Sequence, residues 1–288
     1  MHDHTNNGGT TMILVTGATG NIGRALLTQL RDDAGTTPRG LTRDAARAEL
    51  PAGVAAVEGD LARPQTLGPA LEGVDSLVLL QGMGADTEVL EAARRAGVGH
   101  VVLVSSITVE THPHLPAARQ NRAVEDALKS TGMDWTVLRP TQFASNTLWW
   151  AQEIREHAGV ETPYPEVGLP AVHPADIAAV AHAALTRPGH RGATYALTGP
   201  ARVTVREQVA AIAQAVGRGL SVTPITREEA HRRMAAFMGA PTADAVLDLM
   251  GGDVNEALLR VRDTVERVTG APARTFAQWA GENAAAFA

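Results

Sequence analysis

The chain of 288 residues has no cysteine, a single lysine (Lys129) among its 25 basic residues, and only 3% aromatic residues. Without cysteine there is no disulfide framework, thiolate nucleophile, CxxC redox pair, or cysteine-ligated zinc or iron–sulfur site. An amine nucleophile could come only from Lys129. A tyrosine–lysine acid/base pair spaced YxxxK on one helix face would need tyrosine at position 125, where Glu125 stands. Also missing are the GxSxG elbow of serine hydrolases, the GK[ST] of triphosphate-binding loops, and HExxH or any other metal-ligand spacing. No apolar run reaches the roughly 18 residues of a membrane span, and MHDHTNNGGTT has neither part of a secretion signal. The expectation is a cytoplasmic protein with no membrane partner. A formal net charge of -6 argues against nucleic acid as its main partner.

What is present is an alternation of short apolar strands with amphipathic helices. Met12 to Thr16 reads as a buried parallel strand that stops at glycine, and residues 21–30 place Ile22, Ala25, Leu26 and Leu30 on one helical stripe. Further strands are predicted at 39–42, 54–58, 76–81, 100–105, 135–139 and 194–198, with helices at 84–97, 117–131 and 174–187. Such βα alternation predicts an α/β fold with a doubly wound parallel sheet. Beyond residue 200 the pattern turns mostly helical, with capping boxes at Thr204-x-x-Glu207 and Thr226-x-x-Glu229. The predicted organisation is a disordered leader at 1–11, a sheet domain at 12–143 plus 172–200, and a smaller, mostly helical cap at 144–171 plus 201–288.

The most specific local signal is Gly17-Ala-Thr-Gly20-Asn-Ile-Gly23, set between the first strand and the first helix. Glycines at this spacing give a tight turn, close approach of the backbone to a pyrophosphate, and close helix–strand packing, while the helix N-terminus attracts the anion. About 20 residues further on, NAD-binding chains carry an acid for the ribose hydroxyls. Here the segment reads Gly40-Leu-Thr42-Arg43-Asp44, and the planar cationic fork of Arg43 suits a 2′-phosphate. NADPH is the expected cofactor.

At these residues the chain resembles a known family. ILVTGATGNIG, GLTRD, VEGDLARPQTL, VVLVSS, EDALKSTGMDWTVLRPTQFASN and VHPADIAAVAHAAL, in this order, look like the NmrA-like group of atypical short-chain dehydrogenase/reductases. The resemblance implies a Rossmann-type domain with a small cap, and NADP binding. Members range from quinone and isoflavone-type reductases to redox sensors that hold the dinucleotide without turnover. Carried over by position, Gly17, Thr19, Gly20, Asn21 and Ile22 would form the dinucleotide turn, Arg43 would meet the 2′-phosphate, and Asp60 and Leu61 would lie beside adenine. Gln81, Gly82 and Ser105 would line the ribose and nicotinamide side, and Pro140, Thr141 and Phe143 would run past the nicotinamide into the cap. Two positions depart from the family: isoflavone-type reductases carry a lysine where Ala117 or a neighbour stands, and quinone-reductase-like members often carry histidine where Asn121 stands.

Phe143, Trp149 and Trp150 fall close together, with Tyr164 nearby, and either stack a flat substrate or pack the cap or a subunit contact. No catalytic acid is evident; Ser106, His112 and Asn121 are the candidates, and the loop holding His112 and His114 reads as solvent-facing. A quinone gives a stabilised phenolate that water can protonate, so the missing acid favours such acceptors. The leading reading is therefore an NADPH-dependent oxidoreductase acting on a quinone or related aromatic or polyketide-like acceptor. The alternatives are a non-catalytic NADP-binding sensor and a tailoring component for polycyclic aromatics in bacterial secondary metabolism. A homodimer or a partner protein is compatible with each.

Overall fold

The computed structural model describes residues 10–82 and 85–288. Most of the expected leader, with His2 and His4, lies outside the described residues, and Thr11 already opens the first strand. In chain order the elements begin β1 (Thr11–Val15), α1 (Asn21–Arg31), β2 (Thr36–Thr42), β3 (Ala55–Glu58), α2 (Gly68–Leu71), β4 (Ser76–Leu80) and α3 (Asp86–Arg95). Next come β5 (His100–Val104), α4 (Thr108–Thr111), α5 (Pro116–Ser130), β6 (Asp134–Pro140), α6 (Ala151–His157), β7 (Gly159–Thr162), α7 (Pro174–Thr186) and β8 (Ala193–Leu197). The chain ends with α8 (Val205–Val216), β9 (Ser221–Pro224), α9 (Arg227–Met238), α10 (Ala240–Leu247), α11 (Glu256–Leu259), α12 (Thr264–Thr269) and α13 (Phe276–Glu282). No helix among the described residues is long and apolar enough to cross a membrane.

Seven strands form one sheet in the order β3-β2-β1-β4-β5-β6-β8, with parallel pairing from β3 through to β6. This is the expected doubly wound α/β fold. Strand order reverses between β1 and β4, the place where such sheets bind ligands beyond their carboxyl ends. All five residues of β5 are buried, as an internal parallel strand covered on both faces requires.

The chain forms two compact units. The first comprises Met1–Ser106, Ala117–Arg139 and Ile177–Tyr195. Its core packs Leu14, Leu77, Leu79, Leu103 and Val137 from the strands against Leu71, Leu90 and Leu128 from the helices. The second comprises Ile107–Pro116, Pro140–Asp176 and Ala196–Ala288. Its core joins Ile154, Val209, Ile212, Phe276, Trp279 and Phe287. Of the two capping boxes expected from the sequence, Thr204 and Glu207 form the full reciprocal pair, whereas Thr226 caps its helix by accepting from Glu229 N–H without the return bond.

These units are cut differently from the segments expected from periodicity. Residues 107–116, 140–143, 172–176 and 196–200 belong to the second unit. Long-range bonds hold them there: Ile107 N–H to Pro140 O at 3.0 Å, Thr141 N–H to Leu197 O at 2.9 Å, and Arg262 Nη2 to Glu110 Oε1 at 2.7 Å. Local patterning carries no information about such partners. The second unit also contains a parallel pair, β7 with β9, that the mostly helical reading did not foresee. Each strand has four residues, too few to display a period.

Candidate functional site

In the first unit the site grows from the end of β1. Thr16, fully buried, donates its N–H to Val78 O at 3.0 Å and accepts Leu80 N–H on its hydroxyl at 2.8 Å, which locks the tips of β1 and β4 together. Gly17 then takes a left-handed φ of 59°, turning the chain so that Gly20 N–H returns to Gly17 O at 2.9 Å. A Cβ on Gly23 would lie 2.2 Å from Gly17 O, so any side chain there would push α1 away from the turn. Gly20 faces open space apart from Gly17 O. The N-terminus of α1 has no side-chain cap and no acidic residue in its first turn among the described residues. Its N–H groups and the helix dipole are therefore available to an anion. Thr19, Gly20 and Asn21 are exposed on this turn, whereas Ile22 is buried and can offer a ligand only its backbone amide.

Beyond β2 and β3 lies a surface cavity of about 530 Å³ lined by Arg43, Glu58, Asp60, Arg63 and Thr66 among others. The Asp60 carboxylate accepts from Ala62 N–H at 3.0 Å and Arg63 Nε at 2.9 Å, and these bonds, reinforced by the Arg63 and Arg43 charges, hold its pKa below the usual carboxylate range. Its own N–H donates to Thr66 Oγ1 at 3.0 Å. Asp60 thus anchors the loop and sets the direction of Arg63, a second cation that the sequence reading passed over. Its signal was an arginine three residues after the aspartate of GDLAR. Leu61 turns its side chain into the core of the unit.

At the tip of β4, the Gln81 side-chain amide donates to Asn121 Oδ1 on α5, while Gln81 Oε1 is buried with no hydrogen-bond partner among the described residues. Gly82 takes a φ of 120° and donates its N–H to Asp86 Oδ2 at 3.0 Å. At the tip of β5, Ser105 Oγ donates to Glu125 Oε1 at 2.7 Å. Glu125 is fully buried and also receives Arg139, from Nε at 2.9 Å and from Nη2 at 2.6 Å. Lys129 stands 3.8 Å from the same carboxylate and lies over the Trp135 ring at 5.0 Å, so the only lysine is tied into this structural cluster. Ser105 has committed its proton to Glu125, and Ser106 is half-buried beside it.

In the second unit, Thr141 donates its hydroxyl to Pro170 O at 2.6 Å, and the next residues pair with Val172, through Val172 N–H to Gln142 O at 2.8 Å and Ala144 N–H to Val172 O at 2.9 Å. This pairing sets Phe143 beside Trp149 and Trp150 on a pocket of about 210 Å³, closed by Leu169, Val205, Leu249 and Met250 among others. Phe143, Trp149 and Trp150 line one pocket. Tyr164 does not line it; its ring lies against Gly251 and Gly252. Leu249 and Met250 sit on a π-type turn spanning Asp248–Gly252, where no periodicity marked them.

The loop after β5 departs from expectation. His112 is fully buried, not solvent-facing. The Asp253 carbonyl 2.8 Å from Nε2 can only accept, so Nε2 carries the proton, and Nδ1 lies 2.8 Å from the Thr111 hydroxyl. With both nitrogens engaged, His112 positions the loop and is poorly placed to move a proton on a substrate. His114 is exposed, 3.9 Å from Asp253.

A parallel sheet that reverses its order beside a glycine turn and an uncapped helix defines a dinucleotide-binding protein of the Rossmann type. Residues 17–188 match the family described as NAD(P)H-binding, and the chain belongs to that family. It is 39% identical over 283 residues to a (4-alkanoyl-5-oxo-2,5-dihydrofuran-3-yl)methyl phosphate reductase of Streptomyces griseus, covering 96% of this chain and 99% of the relative. It is also 39% identical over 285 residues to an NAD(P)H azoreductase of Xenophilus azovorans, with 96% and 99% covered. Among solved structures it shares its fold with an NADPH-dependent quinone oxidoreductase from Escherichia coli complexed with NADPH (TM-score 0.78, 23% identity, 94% and 99% covered). The protein is an NAD(P)H-dependent oxidoreductase.

Proposed function

We propose that the protein uses NADPH in preference to NADH to reduce a quinone, azo or related flat aromatic acceptor, without a protein acid. The observation that carries this reading is the pocket walled by Phe143, Trp149 and Trp150, which has no ionisable side chain among the described residues. When bound, the cofactor supplies a hydride, and a quinone that takes up hydride needs only one proton from water to become hydroquinone.

The chain's own residues do the rest. The turn of Gly17, Thr19, Gly20, Asn21 and Ile22 and the first amides of α1 would receive the pyrophosphate, and Arg43 and Arg63 would hold the 2′-phosphate. The Asp60–Leu61 loop borders the adenosine. Gln81 Oε1, left without a partner, fits a donor such as a ribose hydroxyl or the carboxamide, and Asn121 fixes its orientation. Gly82 and Ser105 shape the backbone on that side, while Pro140, Thr141 and Phe143 carry the chain onward to the pocket. Asn121 positions Gln81 in this scheme, and no residue is assigned as proton donor.

The test is NADPH consumption with a panel of neutral quinones and azo dyes. Turnover is the expected result. Tight NADPH binding with no turnover across quinones, azo compounds, polycyclic aromatics and simple carbonyls would instead identify a dinucleotide sensor.

A further inference from the structure

The aromatic pocket of the second unit has amide and hydroxyl groups in its wall but no charged side chain, and three of these polar residues donate to backbone carbonyls. Thr147 donates its hydroxyl to Ala144 O at 2.8 Å, Gln208 Nε2 donates to Val203 O at 3.1 Å, and Gln142 Nε2 donates to Leu249 O at 2.8 Å. Two arginines whose partners border the wall are ion-paired, and Arg202, three residues before Val205, donates to the Leu259 carbonyl. Arg206, next to Val205, pairs with Glu166, next to Val167. Arg227 pairs with Asp244 at 3.0 Å and with Asp248, next to Leu249, at 2.8 Å. Helix α8, which brings Val205 and Gln208 to the wall, offers no anion site at its N-terminus either. Thr204 caps it, and Glu207 closes the box by accepting from Thr204 N–H at 2.7 Å. That bond and the Thr204 hydroxyl hold the Glu207 pKa below the usual carboxylate range, so the capped end carries a negative charge.

An anionic group entering this pocket would give up part of its water shell and find no cationic side chain in the lining, whereas a neutral ring would lose little and gain stacking area. We infer that the pocket selects by charge: it takes uncharged planar acceptors and rejects phosphorylated, sulfonated or carboxylated ones. This separates the chain from the 39% identical relative whose name specifies a phosphate ester, despite full-length similarity. The inference rests on the reading of this pocket as the acceptor site.

The experiment is a binding titration on the NADP⁺-loaded protein, following tryptophan fluorescence, with menadione and with menadione carrying a sulfonate on its benzene ring. The neutral compound is expected to bind about 100-fold more tightly. Met250→Arg, which adds an unpaired cation to the wall, is expected to recover at least about tenfold of the sulfonate's affinity. Equal affinities in the unaltered protein, or no quenching by either compound, would overturn charge selection. Both readouts are independent of turnover. A protein that discriminates by charge but never oxidises NADPH would retain this inference while refuting the reductase reading, and one that reduces both compounds equally well would do the reverse.

Discussion

Replacing Glu125 tests whether the tip of β5 is held by charge. The carboxylate is fully buried and takes two bonds from Arg139, one from Ser105, and the nearby charge of Lys129. Arg139 is itself 14% exposed, so Glu125→Ala would leave a largely desolvated guanidinium without its counter-ion. Removing one partner of a buried pair costs about 3–5 kcal/mol. Lys129, 32% exposed, keeps access to water, which argues for the lower end of that range. At roughly 2–4 °C per kcal/mol for a chain of this size, a loss of about 3 kcal/mol lowers Tm by roughly 6–12 °C. Desolvation opposes the pair's own attraction, so replacing both partners together, Glu125→Leu with Arg139→Met, should recover most of that loss. Thermal melts followed by circular dichroism on Glu125→Leu, Arg139→Met and the double variant give the coupling directly. If Glu125→Ala melts within about 1 °C of the parent, or the double variant is as unstable as the two single losses added, the cluster is not an interacting unit and the reasoning is wrong.

The other expectations concern the cofactor, the aromatic wall and pH. Arg43→Ala should weaken NADPH binding at least about tenfold and leave NADH nearly unchanged, since only the former presents a 2′-phosphate; calorimetric titration showing equal losses would remove Arg43 from that role. Trp149 is 70% exposed and Trp150 packs against the core of its unit. Trp149→Leu should therefore raise the KM for the acceptor with little change in Tm, while Trp150→Leu should lower Tm by several degrees, a contrast that steady-state kinetics and melting would reveal or refute. His100 is buried against the Thr136 hydroxyl at 3.1 Å. That hydroxyl donates to His190 O, so His100 Nε2 donates to it, and burial pushes the His100 pKa from 6.5 down to about 4. The unfolded chain therefore binds more protons between these values, and stability is complete above about pH 6.5 and lost as pH falls toward 4. His100 should cost about 2 kcal/mol between pH 7 and 5, and His100→Gln, which keeps the donor, should flatten the fall seen in urea unfolding. An unchanged pH profile in that variant would mean that other groups carry the dependence.

The sheet and the turn were legible because their signals are local. Five buried residues in a row at β5, glycines at 17, 20 and 23, and threonine caps followed by glutamates state their conformation within a few positions of chain. Arg43 was singled out through its distance from the glycine turn, and it lines a surface cavity. His112 was misread because its partner, Asp253, lies 141 residues away, and a proline-bearing loop gives no sign that a distant turn will bury it. Glu125 was read as half of an ordinary helix pair with Lys129, yet Ser105 and Arg139 reach it from the neighbouring strand tips.

The sequence by itself therefore determined the class of protein. A chain without cysteine and with one lysine, but with an intact glycine turn, keeps a dinucleotide site and lacks the usual acid/base residues. Tertiary structure decided what surrounds that site. It neutralised Lys129 against Glu125, gathered Phe143, Trp149 and Trp150 on one wall with Leu249 and Met250, and turned Gln142 and Gln208 of that wall toward backbone carbonyls. Backbone conformation follows from neighbours in the chain. The charge and burial of a side chain follow from whatever the fold brings against it.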